Sequence, residues 1–247
     1  MKRYEGKNVV ITGCNRGIGK VMMEEFAKEG ANLIACTRKL TPEIESWYAE
    51  IRSTYGVQVY PVTVDMGSEE SVQAAVKAIF ALKIPVHVLV NNAGVAVFDG
   101  LMKMQYATME NVFRVNYFGP MMLIKGLIMP MMKANGASII NMASVAGMDG
   151  TVGNCAYGAS KASLILATKT LSKELAKAKI RVNAIAPSIV ETEMSAGIDE
   201  AVRADQLANT AISRPAQAEE IAKVALFLGS NEASYVNGQI IRVDGGM

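Results

Sequence analysis

The chain has 247 residues and a formal net charge of +2, and it is 51% hydrophobic and 19% charged. This composition predicts a sizeable core, and the lack of a basic block argues against a nucleic-acid-binding protein. Three cysteines and one histidine without ligand spacing argue against a metal site, and no apolar run is long enough to span a membrane. Since the cysteine count is odd and no signal peptide is recognisable, we expect a cytoplasmic protein.

Strands and helices are predicted to alternate along the chain. Short β-branched or apolar runs predict seven strands, at 7–12, 31–37, 57–65, 86–90, 137–144, 180–188 and 239–246. Helices are predicted at 20–30, 41–56 and 68–83 (with Thr41 and Ser68 as N-caps), and at 106–116, 119–134, 155–179 and 218–229. A looser polar stretch occupies 189–217. The alternation predicts a doubly wound α/β fold over residues 1–247, a single domain with a mostly parallel seven-stranded sheet covered by helices on both faces.

A glycine-rich turn, TGCNRGIG, follows the first predicted strand and opens a helix. Gly13, Gly17 and Gly19 let the backbone turn tightly, and the helix N-terminus offers free N–H groups and a positive dipole end to phosphate. A tight turn without a ligand would also explain the glycines, and their spacing differs from G-x-G-x-x-G. The position within a β-α-β series favours a dinucleotide site.

The end of the second predicted strand carries no acidic residue to bind a ribose 2′-hydroxyl. Thr37 and Arg38 lie there instead, and Arg16 lies in the glycine turn. Hydroxyls and cationic side chains favour a 2′-phosphate, and therefore NADP(H) over NAD(H). Alternatively, Arg38 and Lys39 are ordinary solvated surface charges.

Tyr157 and Lys161 are four residues apart on a predicted helix and share one of its faces. An ammonium group beside a phenol favours the phenolate, lowers the tyrosine pKa and makes an acid–base residue for near-neutral pH. Ser144 ends the fifth predicted strand and could reach the same point. Alternatively, the Tyr/Lys pair is a surface pair without a catalytic role.

Several motifs occur together in one order: Thr12–Gly19, Asn91–Gly94, Asn116, Ser144, Tyr157-x3-Lys161 and Val243–Gly246. As a set they resemble the short-chain dehydrogenase/reductase family over essentially the whole chain, and most closely its 3-oxoacyl-acyl-carrier-protein reductases. The resemblance implies a Rossmann-like fold and a hydride transfer between a nicotinamide cofactor and a carbonyl or alcohol.

The resemblance also implies catalytic roles for four residues. Tyr157 would donate a proton to the substrate carbonyl oxygen. Lys161 would lower the Tyr157 pKa and bind the nicotinamide ribose. Ser144 would hold the carbonyl oxygen, and Asn116 would support a water leading to Lys161.

A larger set is implied for cofactor binding, with Asp65 at the adenine and Thr192 near the nicotinamide carboxamide. Its members are Gly13, Asn15, Arg16, Gly17, Ile18, Gly19, Thr37, Arg38, Asp65, Met66, Asn92, Ala93, Gly94, Tyr157, Lys161, Pro187, Val190 and Thr192.

Two residues depart from the family pattern. Ser188 stands where a glycine is common, so the nicotinamide loop is expected to be set differently unless its φ is negative. His87 stands where an aspartate is common, and we interpret it as structural.

The expected activity is NADPH-dependent reduction of a carbonyl to a secondary alcohol, with a 3-oxoacyl thioester on acyl carrier protein as substrate in fatty acid biosynthesis. A dehydrogenase of a sugar, a steroid or another small secondary alcohol is the alternative. A non-catalytic nucleotide-binding scaffold and a purely structural oligomer subunit are further hypotheses. Substrate specificity is expected in segments 95–103, 145–154 and 193–213, with Met148 and Met194 as an apolar wall.

The expected partners are a small or carrier-bound acyl substrate and further copies of the chain. The resemblance implies a homotetramer, with helices 119–134 and 154–177 and the last strand as interfaces. Lys133 and Lys173 would form part of a basic patch for acyl carrier protein, or would be ordinary solvated lysines.

Overall fold

Seven strands form the centre of this computed structural model, which describes residues 2–197 and 200–247. They are β1 (Asn8–Thr12), β2 (Asn32–Thr37), β3 (Val59–Thr63), β4 (Val88–Asn91), β5 (Ala137–Met142), β6 (Ile180–Pro187) and β7 (Ile240–Val243). They form one sheet in the order β3-β2-β1-β4-β5-β6-β7, and each neighbouring pair is parallel. The predicted doubly wound α/β fold is confirmed.

Helices cover both faces of the sheet. They are α1 (Gly17–Lys28), α2 (Pro42–Tyr55), α3 (Glu69–Ala81), α4 (Tyr106–Phe113), α5 (Gly119–Met132), α6 (Cys155–Glu174), α7 (Glu200–Ala208) and α8 (Ala218–Gly229). One core lies between the sheet and α1, α2 and α8, and a second lies between the sheet and α3 and α5. The five inner strands, β2, β1, β4, β5 and β6, are buried on both faces, as a parallel sheet between two helix layers requires, whereas the edge strands β3 and β7 are partly exposed.

Local sequence signals explain the ends of several helices. The Thr41 hydroxyl accepts a hydrogen bond from the Ile44 N–H, and the Ser68 hydroxyl accepts one from the Ser71 N–H. Both predicted N-caps are therefore confirmed. Helix α7 was not predicted, because its sequence is polar on average; the predicted loose stretch is wrong at this point.

The order of the strands positions the site. From β1 the chain winds outward through β2 and β3, then returns to place β4 on the other side of β1. The loops after β1 and β4 therefore leave neighbouring strands in opposite directions, and a crevice opens between them at the carboxyl edge of the sheet. Across the described ranges, no helix has the length and apolarity to cross a bilayer.

Candidate active site

A cavity of about 850 Å³ lies at the carboxyl edge of the sheet, among the loops that follow β1, β4, β5 and β6. The predicted site residues line it, with the exceptions of Thr37 and Asn116. The topology thus brings together side chains that are far apart in sequence. Within the described ranges no group of three or more His, Cys, Asp or Glu side chains could hold a metal ion.

The glycine turn is bonded to the loop that follows β4. The Thr12 hydroxyl oxygen accepts hydrogen bonds from the backbone N–H groups of Asn92 and Ala93, each at 3.0 Å. The Asn92 side-chain amide donates to the carbonyl oxygens of Thr12 at 3.0 Å and Gly13 at 3.1 Å. A Cβ atom at Gly19 would overlap the Gly13 carbonyl oxygen, so this position requires glycine. These contacts fix the shape of the turn.

Helix α1 presents an uncapped N-terminus to the cavity. It begins at Gly17, and the side chain of its N-cap residue, Arg16, forms no capping hydrogen bond. The turn residues Gly13 and Asn15–Gly19 line the cavity wall. Free N–H groups at the positive end of the helix dipole fit the phosphates of a dinucleotide.

The residues at the end of β2 differ in their placement. Arg38 and Lys39 line the cavity, whereas Thr37 is 2% exposed and its hydroxyl donates to the Lys39 carbonyl oxygen at 3.2 Å. The structure therefore does not bring Thr37 to the site. Arg16 lies 3.4 Å from a carboxylate oxygen of Glu193 across the cavity mouth, and both side chains are largely exposed.

Ser144, Tyr157 and Lys161 converge on the cavity from two elements. Ser144 follows β5, and the other two lie on α6. A Cβ at Gly158 would lie 2.5 Å from the Ala146 carbonyl oxygen, so glycine at this position lets the turn after Ser144 pack closely against α6. The Ser144 side chain hydrogen-bonds Tyr157. The Lys161 ammonium donates to the Met142 carbonyl oxygen at 2.7 Å, and it lies 5.7 Å from the centre of the Tyr157 ring.

Burial dominates the acid–base properties of this group. It raises the pKa of Tyr157, and the hydrogen bond with Ser144 opposes that rise without reversing it. It lowers the pKa of Lys161 to about 8, because the ammonium form loses its hydration. The predicted effect of Lys161 on the Tyr157 pKa stays a prediction, because burial and the Ser144 hydrogen bond are what set the direction of the shift in this structure. Burial destabilises the phenolate more than the hydrogen bond with Ser144 stabilises it, so the pKa of Tyr157 is raised.

Asn116 lies beside the site and not on its wall. It belongs to a π-helical turn, Arg114–Phe118, between α4 and α5, and it is fully buried. Its side-chain amide exchanges two 2.9 Å hydrogen bonds with the backbone of Val95 and donates to the Ser160 hydroxyl at 3.0 Å. Asn116 therefore ties the loop after β4 to the helix that carries Lys161.

The two departures from the family pattern have structural explanations. His87 accepts a hydrogen bond at Nδ1 from the Asn8 N–H at 3.0 Å, and burial together with the nearby Lys7 lowers its pKa. This contact agrees with the structural interpretation of His87. Ser188 lines the cavity, and its φ is not positive, so the loop accommodates serine without backbone strain.

Sequence reasoning missed part of the cavity wall. The missed residues include Lys39, Phe98, Asp149, Val152, Asn154, Gln206 and Met247. Most lie in the segments predicted to govern specificity, but no sequence signal marked Met247. Met194 lines the cavity as predicted, whereas Met148 does not. Residues 198–199 of the third specificity segment lie outside the described residues.

Asn154 is a distinctive member of this wall. It precedes α6 and is 8% exposed, and its Oδ1 atom is one of two buried side-chain polar atoms without a hydrogen-bond partner in the described part of the chain. A buried acceptor of this kind is uncommon in folded proteins.

Comparison with known proteins assigns the chain to a family. A family model described as enoyl-(acyl carrier protein) reductase matches residues 13–247. The chain is 36% identical over 245 residues to the 3-oxoacyl-[acyl-carrier-protein] reductase FabG of Aquifex aeolicus, which covers 99% of this chain and 98% of the relative. The chain belongs to the short-chain dehydrogenase/reductase family. The predicted family is thereby confirmed, as is an oxidoreductase acting on CH–OH or C=O groups.

Solved structures of short-chain dehydrogenases/reductases share the fold closely. A 3-oxoacyl-[acyl-carrier protein] reductase from Brucella melitensis with bound NAD has a TM-score of 0.90 and 32% identity, covering 100% of this chain and 92% of that one. L-sorbose reductase from Gluconobacter frateurii, complexed with NADPH and L-sorbose, also has a TM-score of 0.90, with 30% identity, covering 100% and 98%. Proteins with this fold thus include reductases of acyl substrates and of a sugar.

Proposed function

We propose that this protein reduces a 3-oxoacyl thioester on acyl carrier protein to the 3-hydroxyacyl thioester, with NADPH as the hydride donor. The observation that carries the proposal is the convergence of Ser144, Tyr157 and Lys161 on a cavity that also contains the uncapped N-terminus of α1. The similarity to 3-oxoacyl-[acyl-carrier-protein] reductases supports the substrate class. One domain, residues 1–247, would carry both cofactor binding and catalysis.

Bound NADPH would supply the hydride, and the turn from Gly13 to Gly19 would hold its pyrophosphate. Arg16 and Arg38 would bind the 2′-phosphate, since both lie on the cavity wall and no acid stands at the end of β2. The remaining cofactor contacts are assigned to Asp65 and Met66 at the adenine, Asn92, Ala93 and Gly94 at its ribose, and Pro187, Val190 and Thr192 at the nicotinamide.

Tyr157 is proposed as the proton donor. An ordinary tyrosine is protonated at neutral pH, and burial raises the pKa of Tyr157 further, so the phenol is in the state that reduction requires. The Ser144 hydroxyl oxygen accepts a hydrogen bond from the Ala146 N–H at 3.2 Å, so its own proton can be donated to the substrate carbonyl oxygen. These two hydroxyl groups would bind and polarise the carbonyl group.

Lys161 and Asn116 would support the proton donor. With a pKa of about 8, Lys161 is largely protonated at neutral pH, and it would bind the nicotinamide ribose and supply a proton toward Tyr157. The buried side-chain contacts of Asn116 would position the loop and the helix that flank this path.

Larger assemblies are part of the proposal. Exposed apolar side chains on α5 and α6, such as Met129 and Leu166, support a homotetramer with these helices as an interface.

Lys133 and Lys173 are exposed and would contribute to a basic patch for acyl carrier protein. The three free cysteines fit a reducing compartment, the cytoplasm, where fatty acid biosynthesis would use this activity.

A second candidate function is the reduction or oxidation of a sugar or another small secondary alcohol, which the similarity to L-sorbose reductase favours. A scaffold without catalytic activity is a weaker hypothesis, because the Ser144, Tyr157 and Lys161 side chains are all in place.

The first test is NADPH oxidation, followed by absorbance, with acetoacetyl thioesters of acyl carrier protein and of coenzyme A. NADH is the control cofactor, and a 2-enoyl thioester and L-sorbose are comparison substrates. We expect fast turnover with NADPH and the carrier-bound 3-oxoacyl thioester. Turnover of L-sorbose alone, by a protein that binds NADPH tightly, would replace the proposal with the sugar alternative.

A further inference from the structure

Arg242 on β7 joins three separate points at one edge of the cavity. Its Nη1 atom lies 2.8 Å from the Asp149 carboxylate, and its Nε donates to the Asp244 carboxylate at 2.6 Å. Its Nη2 donates to the backbone carbonyl oxygen of Met247 at 3.2 Å. One guanidinium group therefore holds the segment after β5 and residues 244–247 in a fixed relation.

Residues 244–247 also contact the chain that follows α7. The Gly245 carbonyl oxygen accepts a hydrogen bond from the Ile212 N–H at 2.9 Å. Gly245 has a φ of +66°, and a Cβ there would lie 2.8 Å from a methyl carbon of Thr210, so only glycine fits without strain. The segment 244–247 is thus packed between two stretches that were predicted to govern specificity.

Met247 and Asp149 both line the cavity. Asp149 lies five residues after Ser144, in the same segment that leads to Tyr157. Arg242 thus links Met247 to the segment between Ser144 and Tyr157, and Arg242 itself does not line the cavity.

The cavity lining includes exposed apolar side chains. The side chains of Phe98, Val152, Met194 and Met247 all line the cavity, and each is 36% exposed or more. Apolar side chains that remain open to a cavity fit a hydrocarbon chain better than a polyol, whose hydroxyl groups would lose their hydrogen bonds to water here.

We propose that Met247 is a specificity-determining residue for the acyl chain of the substrate, and that Arg242 is the positioning residue that holds it. The inference rests on the proposed function, because it concerns which 3-oxoacyl thioesters the same site accepts. The Met247 thioether fills space beside the chain, and its removal enlarges the compartment. Arg242 acts through Asp149 and the 244–247 backbone, so its loss loosens the wall without touching the reacting atoms.

The test compares the wild-type protein with Met247→Ala and Arg242→Gln, using short, medium and long 3-oxoacyl thioesters of acyl carrier protein. Arg214→Gln is the matched control, since Arg214 also forms a 2.8 Å ion pair, with Glu220, but does not line the cavity. The dissociation constant for NADPH, read from the fluorescence of Trp47, provides a measurement independent of turnover.

For Met247→Ala we expect kcat/KM to shift about tenfold toward long chains, as a change of one to a few methylene groups in an apolar pocket does. For Arg242→Gln we expect KM to rise for every chain length while kcat changes little, with partial rescue by Arg242→Lys. The NADPH dissociation constant should be unchanged in both variants, and Arg214→Gln should match the wild type.

An unchanged chain-length profile in Met247→Ala, in a protein that still reduces thioesters, would overturn this inference and leave the proposed function intact. If the wild-type protein reduced no thioester, the proposed function would fail and this inference with it. Should either variant lose NADPH binding through misfolding, Met247→Val and Arg242→Asn would replace them. An unchanged chain-length profile and KM in these variants would also count against the inference.

Discussion

At the scale of single residues, proton transfer depends on one phenol that the protein keeps protonated. Burial raises the Tyr157 pKa, and the Ser144 hydroxyl is its hydrogen-bond partner. The phenol therefore carries the proton that reduction of a carbonyl group requires.

Tyr157→Phe removes this donor while leaving the ring in place. We expect kcat to fall by about 10²–10⁴-fold, the usual contribution of a general acid. NADPH binding, measured by fluorescence, should stay within a few fold of wild type. Tyr235→Phe is the control, because Tyr235 is fully exposed. Unchanged turnover in Tyr157→Phe would revive the hypothesis of a non-catalytic scaffold.

His87 makes stability depend on pH. Burial lowers its pKa in the folded protein, and its neutral imidazole accepts a hydrogen bond from the Asn8 N–H. As the pH falls through the ordinary histidine pKa of about 6.5, the unfolded chain takes up a proton before the folded chain does. The stability linked to His87 is therefore fully present above about pH 6.5 and is lost as the pH falls through the lower folded value.

The measurement is the free energy of unfolding in urea on both sides of that pH range, for the wild type and for His87→Gln. We expect the wild type to lose more stability on acidification than the variant, which lacks the titrating group. Equal losses in the two proteins would show that His87 is not the group responsible.

At the scale of elements, the start of α1 depends on close backbone packing. Gly19 lies against the Gly13 carbonyl oxygen and the Asn92 side-chain amide, which would lie 2.5 Å from an added Cβ. These two neighbours are hydrogen-bonded to each other, and Asn92 also forms hydrogen bonds with Thr12, so neither can move away without breaking the turn.

Gly19→Ala should therefore destabilise the fold by about 1–3 kcal/mol, as overpacking does. It should also weaken NADPH binding, because the phosphate-binding N–H groups move. Urea unfolding and NADPH titration measure the two effects. Gly100→Ala is the control, since nothing lies within 4 Å of its added Cβ. If both variants behaved alike, the close approach at Gly19 would have no energetic consequence.

The sequence predicted elements better than it predicted side-chain directions. The N-caps Thr41 and Ser68 were found because a cap is a contact within a few residues. Thr37 was misplaced because strand side chains alternate between faces: Cys36 and Arg38 line the cavity and Thr37 does not. That alternation could have been predicted from the sequence. The position of Met247 at the same cavity could not, because it depends on how β7 packs beside β6.

At the scale of the whole molecule, helices α5 and α6 leave apolar side chains exposed on the surface. Met129 is 58% exposed and Leu166 is 67% exposed, on α5 and α6 respectively. Exposed apolar side chains on surface helices are typical of a subunit interface.

Leu166→Lys should therefore shift the protein from the proposed tetramer to a smaller species in analytical ultracentrifugation, because a buried unpaired charge strongly disfavours association. Thr54→Lys is the control: Thr54 is exposed on α2, which packs against the other face of the sheet. An unchanged sedimentation coefficient in Leu166→Lys would place the interface elsewhere.

The hydrogen bonds between Thr12 and the loop after β4 also bear on how the chain folds. They join residues 80 and 81 positions apart, so the phosphate-binding turn takes its final shape only when β4 has docked beside β1. Closing so long a loop comes late relative to local helix formation. During synthesis, the first three strands would leave the ribosome before the nucleotide site is complete. Affinity for the cofactor would develop only after β4 has been synthesised and has docked beside β1.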